Sequence, residues 1–377
     1  MKIAQVAPLY ESVPPKYYGG TERVVSYLSE ELVRAGHEVT LFASGDSVTR
    51  ANLVPQCHRS LRLDEHVIDH FAHHVLMTER VFKETDAFDI VHSHIDYLPY
   101  SMIRRIETPV LTTLHGRLDL EDLVPLYQEF PDIPVVSISD AQRKPLTWIN
   151  WQGTVHHGLP RDLYAYREGQ GGYLAFLGRI CPEKRVDDAI EIAKRADLEL
   201  RIAAKVDRVD QEYFDTVVRH LLDHPLIEYV GEIRDAEKSE FLGNASALLF
   251  PIDWPEPFGL VMIEALACGT PVIARNLGSV PEVIEQGITG FVVRNVDEAV
   301  SAVKEVPSLS RKRCREVFEE RFTASKMAED YLTIYQSLIR ERSLRRPVRP
   351  SLPPVAPPSD QLVDVVTADS DRGHGDG

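Results

Sequence analysis

Short apolar runs alternate with amphipathic segments along most of this chain. The runs are about four to six residues long, as buried strands are, and the segments between them repeat apolar residues at helical spacing. The first such segment is predicted to be a helix that is capped by Thr21 and ended by Gly36, with an inward face of Val24, Val25, Leu28 and Leu32. This alternation is typical of βαβ units, which build parallel sheets.

The alternating pattern occurs twice, which predicts two doubly wound α/β lobes. Strands are expected at 3–7, 39–43, 90–92, 110–114 and 135–138 in the first half, and at 173–177, 198–203, 227–230, 247–250, 272–274 and 291–293 in the second. Ligands of such lobes lie at the carboxyl ends of the strands, so a cleft between two facing lobes is the expected site.

Domain boundaries follow from glycines and from local composition. Gly169, Gly171 and Gly172 indicate a linker, which predicts a Rossmann-like N-terminal domain over 1–168 and a C-terminal domain over 169–320. Residues 321–345 are predicted to form a further helix that packs back towards the N-terminal domain. Residues 346–377 are rich in Pro and Asp and have little to bury, which predicts a disordered tail.

Charge and hydropathy limit the partners of the chain. The net charge of −16 disfavours nucleic acid and anionic membranes, since both need a basic patch to bind. No apolar run reaches the ~18 residues of a spanning helix, and the N-terminus lacks the pattern of a signal peptide. We therefore expect a cytoplasmic protein without a transmembrane segment, and peripheral membrane contact is not favoured. The cysteines show no metal-ligand spacing; they are Cys57, Cys181, Cys268 and Cys314.

The segment 255–273, PEPFGLVMIEALACGTPVI, combines a Pro-rich loop with a predicted helix start near Gly259. Backbone N–H groups around Phe258, Gly259 and Leu260 would be unpaired there and available to a phosphate or a sugar hydroxyl. Glu256 and Glu264, separated by seven residues, are suited to accept hydrogen bonds from vicinal hydroxyls. On spacing alone, the simpler interpretation is an acid favoured by the helix dipole and a solvated residue on the helix face.

This segment resembles the E-x7-E signature of the family 4 glycosyltransferases, and residues 278–293, GSVPEVIEQGITGFVV, resemble the block that follows it in that family. The resemblance implies the GT-B fold, in which two Rossmann-like lobes face each other across a cleft. It also implies that Glu256 contacts the donor sugar and that Glu264 contacts the ribose of the nucleotide. In the following block, scaffolding is the favoured interpretation for every residue except Glu282.

A basic pair is predicted upstream, in the segment FLGRICPEKRVDDAI at 176–190, which resembles the G-R-x(n)-E-K-x-x-D segment of the same family. Cleavage of a sugar–diphosphate bond leaves negative charge on the β-phosphate, and fixed cations stabilise that charge as it develops. Arg179 offers a planar fork and Lys184 a compact point charge, with Gly178 beside the donor. Considered alone, an Arg and a Lys near a strand end are usually solvated.

Two features of the first half also match the family. The loop PPKYYGGTERVV at 14–25 is similar to its N-terminal GG loop, which implies that Gly19 and Gly20 line the cleft near phosphate or acceptor. The sequence TTLHG places His115 at the end of a strand, where the family has a histidine close to the donor sugar. Without the resemblance, a histidine satisfied at a strand end is an equally good interpretation.

Other histidines raise the question of a metal. The pair His92 and His94 lacks a nearby third ligand, and the group His66, His70, His73 and His74 is better explained as a solvated or acceptor-facing helix surface. A D-x-D sequence occurs only at Asp369 and Asp371, in the predicted tail. We predict no obligatory metal and no cofactor, with Arg179, Lys184 and helix dipoles in place of a cation.

The family resemblance implies transfer of a hexosyl group from a nucleotide diphosphate sugar to a hydroxyl of an acceptor sugar or small compound, with retention of the anomeric configuration. Two alternatives stay open: a sugar-nucleotide epimerase of the same fold and a non-catalytic nucleotide-sugar-binding protein. Residues 230–233 are predicted to read the base largely by backbone, and a UDP-sugar is preferred only for its frequency. The acceptor depends on loops such as 8–18 and 119–132, which no general rule decodes.

Overall fold

The computed structural model describes residues 1–16 and 19–345, which form two parallel sheets with helices around them. Residues 17–18 and 346–377 lie outside the described part of the chain. The prediction of a disordered tail, with its Asp369 and Asp371, therefore falls outside the described residues, as does the end of the predicted acceptor loop 8–18.

The first sheet has seven parallel strands in the order β3-β2-β1-β4-β5-β6-β7. Its strands are β1 Lys2–Val6, β2 Glu38–Ser44, β3 Asn52–Cys57, β4 Ile90–Ser93, β5 Val110–Thr113, β6 Val135–Ser137 and β7 Trp151–Thr154. The strand order reverses between β1 and β4, and a doubly wound sheet opens a crevice beyond the carboxyl ends of the strands at such a point.

The second sheet repeats this arrangement with six parallel strands in the order β10-β9-β8-β11-β12-β13. Its strands are β8 Tyr173–Arg179, β9 Leu200–Lys205, β10 Ile227–Gly231, β11 Ala245–Phe250, β12 Val272–Arg275 and β13 Gly290–Val293. The order reverses between β8 and β11, so the loops after these two strands share one crevice. The fold class is thus the predicted one, with two Rossmann-like lobes.

Helices cover both faces of each sheet. They are α1 Gly20–Arg34, α2 His70–Lys83, α3 Tyr100–Ile103, α4 Leu123–Glu129, α5 Val186–Ala196, α6 Gln211–Tyr213, α7 Asp235–Gly243, α8 Leu260–Ala267, α9 Val280–Val283, α10 Val296–Glu305, α11 Arg311–Arg321 and α12 Ala324–Arg345. None of the helices in the described part of the chain is long and apolar enough to cross a bilayer.

Sequence patterns located the central strands well and the edge strands poorly. The eleven predicted strands are confirmed to within about two residues at each end, whereas β3 and β7 were not predicted. Both missed strands lie at sheet edges, and NLVPQC and WQGT carry too many polar or turn-forming residues to show an apolar run. One cap was also wrong: α1 begins at Gly20 after the N-cap Gly19, and Thr21 lies inside the helix.

Gly36 ends α1 as predicted. Its φ of 83° lies in the left-handed region, where a side chain is disfavoured. The N–H of Gly36 donates to the Val33 carbonyl at 3.0 Å, and the N–H of His37 donates to the Leu32 carbonyl at 3.1 Å. These two bonds are the Schellman pattern, which satisfies carbonyls at the end of a helix.

The chain crosses between the lobes twice, and the two crossings lie side by side. The N–H of Leu159 donates to the Phe322 carbonyl at 2.9 Å, and the N–H of Ala324 donates to the Leu159 carbonyl at 2.7 Å. A Cβ atom added to Gly158 would lie 2.2 Å from the Thr323 carbonyl oxygen. Only glycine at 158 allows the two backbones to approach this closely.

Helix α12 follows the second crossing and packs on the first lobe. Its buried residues Met327, Tyr331 and Tyr335 share a core cluster with Ile3 of β1 and Val24 of α1. The C-terminal end of the described chain therefore completes the core of the N-terminal sheet.

Candidate active site

The segment 251–267 places a loop and a helix start at the crevice of the second lobe. Gly259 is the N-cap of α8 with φ of 79°, and a Cβ atom there would lie 3.0 Å from Met262 Cε and 3.1 Å from Phe250 Cζ. Both the backbone conformation and the crowding require glycine. The side chain of Phe258 is buried, so only its backbone is available to a ligand. Helix α8 therefore presents its N-terminal N–H groups beside Glu256.

Glu256 forms an ion pair with Lys184, which joins the two sequence motifs of the second lobe. The Lys184 ammonium also lies 5.2 Å from the centre of the Phe250 ring and 5.3 Å from that of Trp254, both cation–π contacts. The N–H of Asp253 donates to the Glu183 carbonyl at 2.8 Å and ties the two loops together. The predicted carboxylate and the predicted cation are thus brought to one place.

Arg179, the last residue of β8, is paired with two carboxylates that the sequence did not single out. Its guanidinium lies 3.6 Å from Asp207 and 3.4 Å from Asp210, both in the loop after β9. Gly178 precedes it with open space beside its Cα, because no described atom lies within 4 Å of an added Cβ. Arg179 and Lys184 therefore both lie at the crevice, each neutralised by an acid of the same lobe.

Glu264 lies in α8 with only 3% of its surface exposed. Its Oε1 accepts hydrogen bonds from Tyr164 Oη at 3.1 Å and from Lys238 Nζ at 2.9 Å. Glu264 is therefore a buried, paired carboxylate and not a solvated face residue, so the simpler interpretation from spacing is wrong for it. The ribose contact that the resemblance implies remains a prediction.

Gly278 supports the Glu256 loop from behind. Its φ is 55°, and an added Cβ atom would lie 2.3 Å from the carbonyl oxygen and 2.4 Å from the nitrogen of Glu256. The N–H of Ser279 also donates to the Glu256 carbonyl at 3.0 Å. The glycine of the block 278–293 thus fixes the backbone that carries the site glutamate.

We expect Gly278→Ala to lower the free energy of unfolding by about 1–3 kcal/mol or more, because left-handed strain adds to a clash with backbone. Chemical denaturation measures the change. Gly172→Ala is the matched control, since no described atom lies within 4 Å of its added Cβ and its φ is outside the left-handed region. Equal stability of the two variants would contradict this role of Gly278.

Gly19 and Gly20 lie where helix α1 meets the second lobe. The only described atom near an added Cβ on Gly20 is Leu260 Cδ1 of α8, at 3.9 Å, so the N-termini of α1 and α8 face each other. At Gly19, a Cβ would lie 3.2 Å from the Glu22 carboxylate. Burial raises the pKa of Glu22 above its usual value. The Glu22 carboxylate thus lies close to the N-terminus of α1, which the sequence predicted to favour an anion from a ligand.

Contacts between charged side chains close the cleft beside these glycines. Arg23 of α1 forms an ion pair with Asp235 of α7, and Asp235 also lies 3.1 Å from Lys238, which in turn holds Glu264. Burial raises the pKa of Tyr27, the next α1 residue on this side. The E-x7-E helix is therefore connected to the first lobe through a chain of ion pairs.

Glu282 joins the lobes at the other side of the cleft. Its carboxylate accepts hydrogen bonds from the backbone N–H groups of Asp140 and Ala141, both at 2.7 Å, and lies 3.2 Å from His156 Nε2. The sequence left Glu282 as the one residue of its block with a role beyond scaffolding. The structure assigns it an inter-lobe contact.

His115 lies two residues beyond β5, at the crevice of the first lobe. Its Nε2 atom is 2.9 Å from His94 Nδ1, and its ring stacks on that of His157 at 5.3 Å between centroids. His157 in turn meets the Phe258 ring of the second lobe, 5.0 Å away. Burial lowers the pKa of His115 to about 3, so its imidazole is neutral at ordinary pH.

Three of the other histidines, His74, His92 and His94, have structural partners. His92 and His94 are buried and hydrogen-bonded to other side chains, and His74 donates to the His70 carbonyl at 2.8 Å and accepts from the Leu9 N–H at 3.1 Å. Helix α2 begins at His70, so His66 does not share its surface as the spacing predicted. Within residues 1–16 and 19–345, no group of three His, Cys, Asp or Glu side chains is arranged to hold a metal.

Several site residues escaped the sequence reasoning. Asp207, Asp210, Lys238 and Trp254 lie in loops or helices without a recognised motif, and each touches a predicted site residue. Only Trp254 carried a usable signal, because it directly precedes the motif segment 255–273 that contains Glu256. The other three are ordinary charged residues until the fold brings them to the crevice.

Two Rossmann-like lobes whose strand ends and helix starts face one cleft define the GT-B class of glycosyltransferases. The family model "Glycosyl transferases group 1" matches residues 167–321, and the model "Glycosyltransferase Family 4" matches residues 18–152. The chain belongs to this group 1, family 4 type of glycosyltransferase.

Individual relatives are distant. An uncharacterized 41.2 kDa protein in the cps region of Klebsiella pneumoniae is 30% identical over 44% of this chain, and the match spans only 46% of that relative. N-acetyl-alpha-D-glucosaminyl L-malate synthase of Bacillus anthracis is 24% identical over 90% of this chain and 98% of its own.

Solved structures share the fold at low identity. AviGT4, a glycosyltransferase involved in avilamycin A biosynthesis, superposes with a TM-score of 0.69 at 24% identity, over 90% of this chain and 98% of its own. HepE of Anabaena in complex with UDP and glucose superposes with a TM-score of 0.68 at 15% identity, over 89% of this chain and all of its own. These likenesses concern the fold.

Proposed function

We propose that the protein transfers a hexosyl group from a nucleotide diphosphate sugar to an acceptor hydroxyl, with retention of the anomeric configuration and without an obligatory metal. The observation that carries this proposal is the Lys184–Glu256 pair beside the N-terminus of α8, with Arg179 at the same crevice. A diphosphate needs fixed cations and N–H donors, and a sugar needs carboxylate acceptors. The pair brings both kinds of group to one cleft.

In the proposed reaction, the bond between the anomeric carbon and the diphosphate oxygen breaks while the acceptor oxygen forms a new bond on the same face of the sugar. The acceptor proton passes to the departing phosphate oxygen, so no protein nucleophile is required. Arg179, Lys184 and the α8 N–H groups stabilise the charge that develops on the diphosphate. Lys184 exchanges part of its contact with Glu256 for a contact with phosphate when the donor binds, before the bond to the diphosphate breaks.

The carboxylates take complementary roles in this proposal. Glu256, freed in part from Lys184, accepts hydrogen bonds from hydroxyls of the donor sugar, and Glu264 accepts from the ribose. Contacts across the cleft, such as Arg23 with Asp235 and Glu282 with the N–H groups of Asp140 and Ala141, hold the lobes together and exclude water. Positioning and charge stabilisation thus supply the catalysis.

The donor is proposed to be a UDP-sugar. HepE, which shares the fold, has been solved in complex with UDP and glucose, and this supports testing uridine diphosphate sugars first. The acceptor is proposed to be a sugar or a small hydroxyl compound that enters from the first lobe.

A thermal-shift panel of UDP-, GDP- and ADP-sugars tests donor binding. A donor at about one hundred times its dissociation constant should stabilise the protein by about 2.7 kcal/mol, which raises Tm by several degrees. We expect one nucleotide class to give this shift and the matching nucleoside monophosphate to give a much smaller one. A flat response to the whole panel would count against a nucleotide-sugar donor.

The competing epimerase function makes a different prediction with the donor alone. An epimerase converts the donor sugar without an acceptor, whereas the proposed transferase releases the same sugar slowly to water. Nuclear magnetic resonance of the donor incubated without acceptor separates the two outcomes.

A further inference from the structure

A chain of buried hydrogen bonds connects helix α12 to His115. His115 Nε2 lies 2.9 Å from His94 Nδ1, and His94 Nε2 lies 2.8 Å from Gln5 Oε1. Gln5 Nε2 donates to Tyr335 Oη at 3.1 Å, and Tyr335 Oη lies 2.6 Å from His92 Nδ1. The chain thus passes through β1, the ends of β4 and β5, and a helix that follows the second lobe in sequence.

The side chains in the middle of this hydrogen-bond chain are inaccessible to water. Gln5, His92 and Tyr335 are 0% exposed, and His94 is 2% exposed. Burial lowers the pKa of His94 well below its usual value, as it does that of His115, so both rings are neutral and carry one proton each. Each buried polar atom must therefore be hydrogen-bonded to another of these side chains, because an unpaired buried atom lowers the stability of the fold by about 1–3 kcal/mol.

The orientation of the Gln5 side-chain amide determines which ring nitrogen of His94, and then of His115, carries the proton. Its carbonyl oxygen faces His94 Nε2, so His94 carries its proton on Nε2 and donates to Gln5. The Nδ1 atom of neutral His94 then has only a lone pair and accepts from His115. His115 consequently carries its proton on Nε2, and its Nδ1 atom is a hydrogen-bond acceptor.

The hydrogen bonds that connect Tyr335, His92 and Thr113 are consistent with this direction of donation. Tyr335 accepts from Gln5 and donates to His92 Nδ1, and His92 Nε2 donates to Thr113 Oγ1 at 2.7 Å. Thr113 Oγ1 also lies 2.8 Å from Tyr331 Oη. The opposite direction would leave a buried N–H on His115 Nδ1, and orphaned buried N–H groups are rarer than unpaired acceptors.

His115 Nδ1 has no hydrogen-bond partner among the described residues, although it is buried. The next residue, Gly116, is exposed, and no described atom lies within 4 Å of a Cβ atom added to it. The two rings that contact it, those of His94 and His157, are neutral, since burial lowers the pKa of each. The Asp96 carboxyl accepts a hydrogen bond from the His115 backbone N–H, and burial raises its pKa to about 6. A hydroxyl is the natural donor for such a neutral acceptor.

We propose that Gln5, His94 and Tyr335 are positioning residues that hold His115 as its Nε2-protonated tautomer, so that its Nδ1 lone pair accepts a hydrogen bond from a hydroxyl of the donor sugar. The sugar contact rests on the proposed function, whereas the tautomer does not. Helix α12, by way of Tyr335, thereby sets the chemistry of a residue at the cleft. This explains why a polar glutamine occupies the buried centre of β1.

The tautomer is measured by nuclear magnetic resonance on protein labelled with ¹⁵N-histidine, with His115→Gln to identify the His115 signals. We expect His115 to show a protonated Nε2 and a bare Nδ1 at neutral pH. Gln5→Glu, with its carboxyl kept protonated by burial, has an acceptor for His94 Nε2 and a donor for Tyr335 Oη, and should preserve this tautomer. Gln5→Met has a similar volume but no acceptor, and should give a mixture of tautomers. A protonated Nδ1 in the unmodified protein would overturn the proposal.

Calorimetry with UDP-glucose and UDP tests the sugar contact. Gln5→Met should weaken UDP-glucose binding by about tenfold, the effect of losing one hydrogen bond, while UDP binding is unchanged. Gln5→Glu should restore the ratio, and thermal unfolding verifies that both variants fold. Equal weakening of both ligands, or an unchanged ratio, would overturn the hydroxyl contact. Failure of UDP-glucose to bind the unmodified protein would count against the proposed donor and leave the tautomer result to stand by itself.

Discussion

Lys184→Ala is expected to lower kcat by about 10²–10³-fold, the effect of removing one preorganised group that stabilises developing charge. Lys184 is held by Glu256 and by the rings of Phe250 and Trp254, so its ammonium is fixed before the donor arrives. A charge that is already in place costs no reorganisation during bond cleavage. Release of nucleoside diphosphate from the best donor measures kcat.

The matched control for this prediction is Lys194→Ala. Lys194 is exposed in the last turn of α5, on the same lobe but away from the crevice. Its variant should keep kcat within about twofold, since an exposed surface charge contributes little. Unchanged turnover of the Lys184→Ala variant would show that the Lys184 ammonium does not stabilise the departing diphosphate.

Glu256→Gln is expected to lower kcat by about 10²-fold or more, for two physical reasons. The amide is a weaker acceptor for sugar hydroxyls than the carboxylate, and it no longer balances the charge of Lys184. The volume of the side chain is kept, so the loop between Asp253 and Gly259 should retain its conformation. Steady-state kinetics with the same donor measure the loss.

Glu191→Gln, an exposed change on α5, serves as the control for Glu256. Because Glu256 and Lys184 are in contact, the double variant Glu256→Gln, Lys184→Ala should lose much less than the product of the two single losses. Independent, multiplicative losses would show that the two side chains do not act as a pair.

Local patterns carry most of the fold. The helix and strand periods of β1, α1, β8 and β11 are strong because each element buries one stretch of apolar residues in a continuous core. The edge strands β3 and β7 bury less and need turn-forming residues, so their pattern is weak. The N-cap of α1 is the last residue with non-helical backbone before the helix. That residue is Gly19 and not the predicted Thr21.

The site is less accessible from sequence because its contacts are distant along the chain. Glu256 pairs with Lys184 across 72 positions, and Gln5 bonds Tyr335 across 330. The family resemblance identified one member of most pairs, but not the acids beside Arg179 or Lys238 beside Glu264. No sequence motif marks these ion-pair partners, because any residue of opposite charge that the fold brings within about 4 Å can form the pair.

Retaining glycosyl transfer by this protein is tested by time-resolved proton nuclear magnetic resonance of UDP-glucose turnover, with a panel of sugars, polyols and hydroxy acids as acceptors. The signal to follow is the anomeric proton of the first product. Retaining transfer gives a glucosyl product with the α configuration of the donor, formed together with UDP and without added metal. A β-configured first product, or conversion of glucose into another sugar in the absence of acceptor, would contradict it.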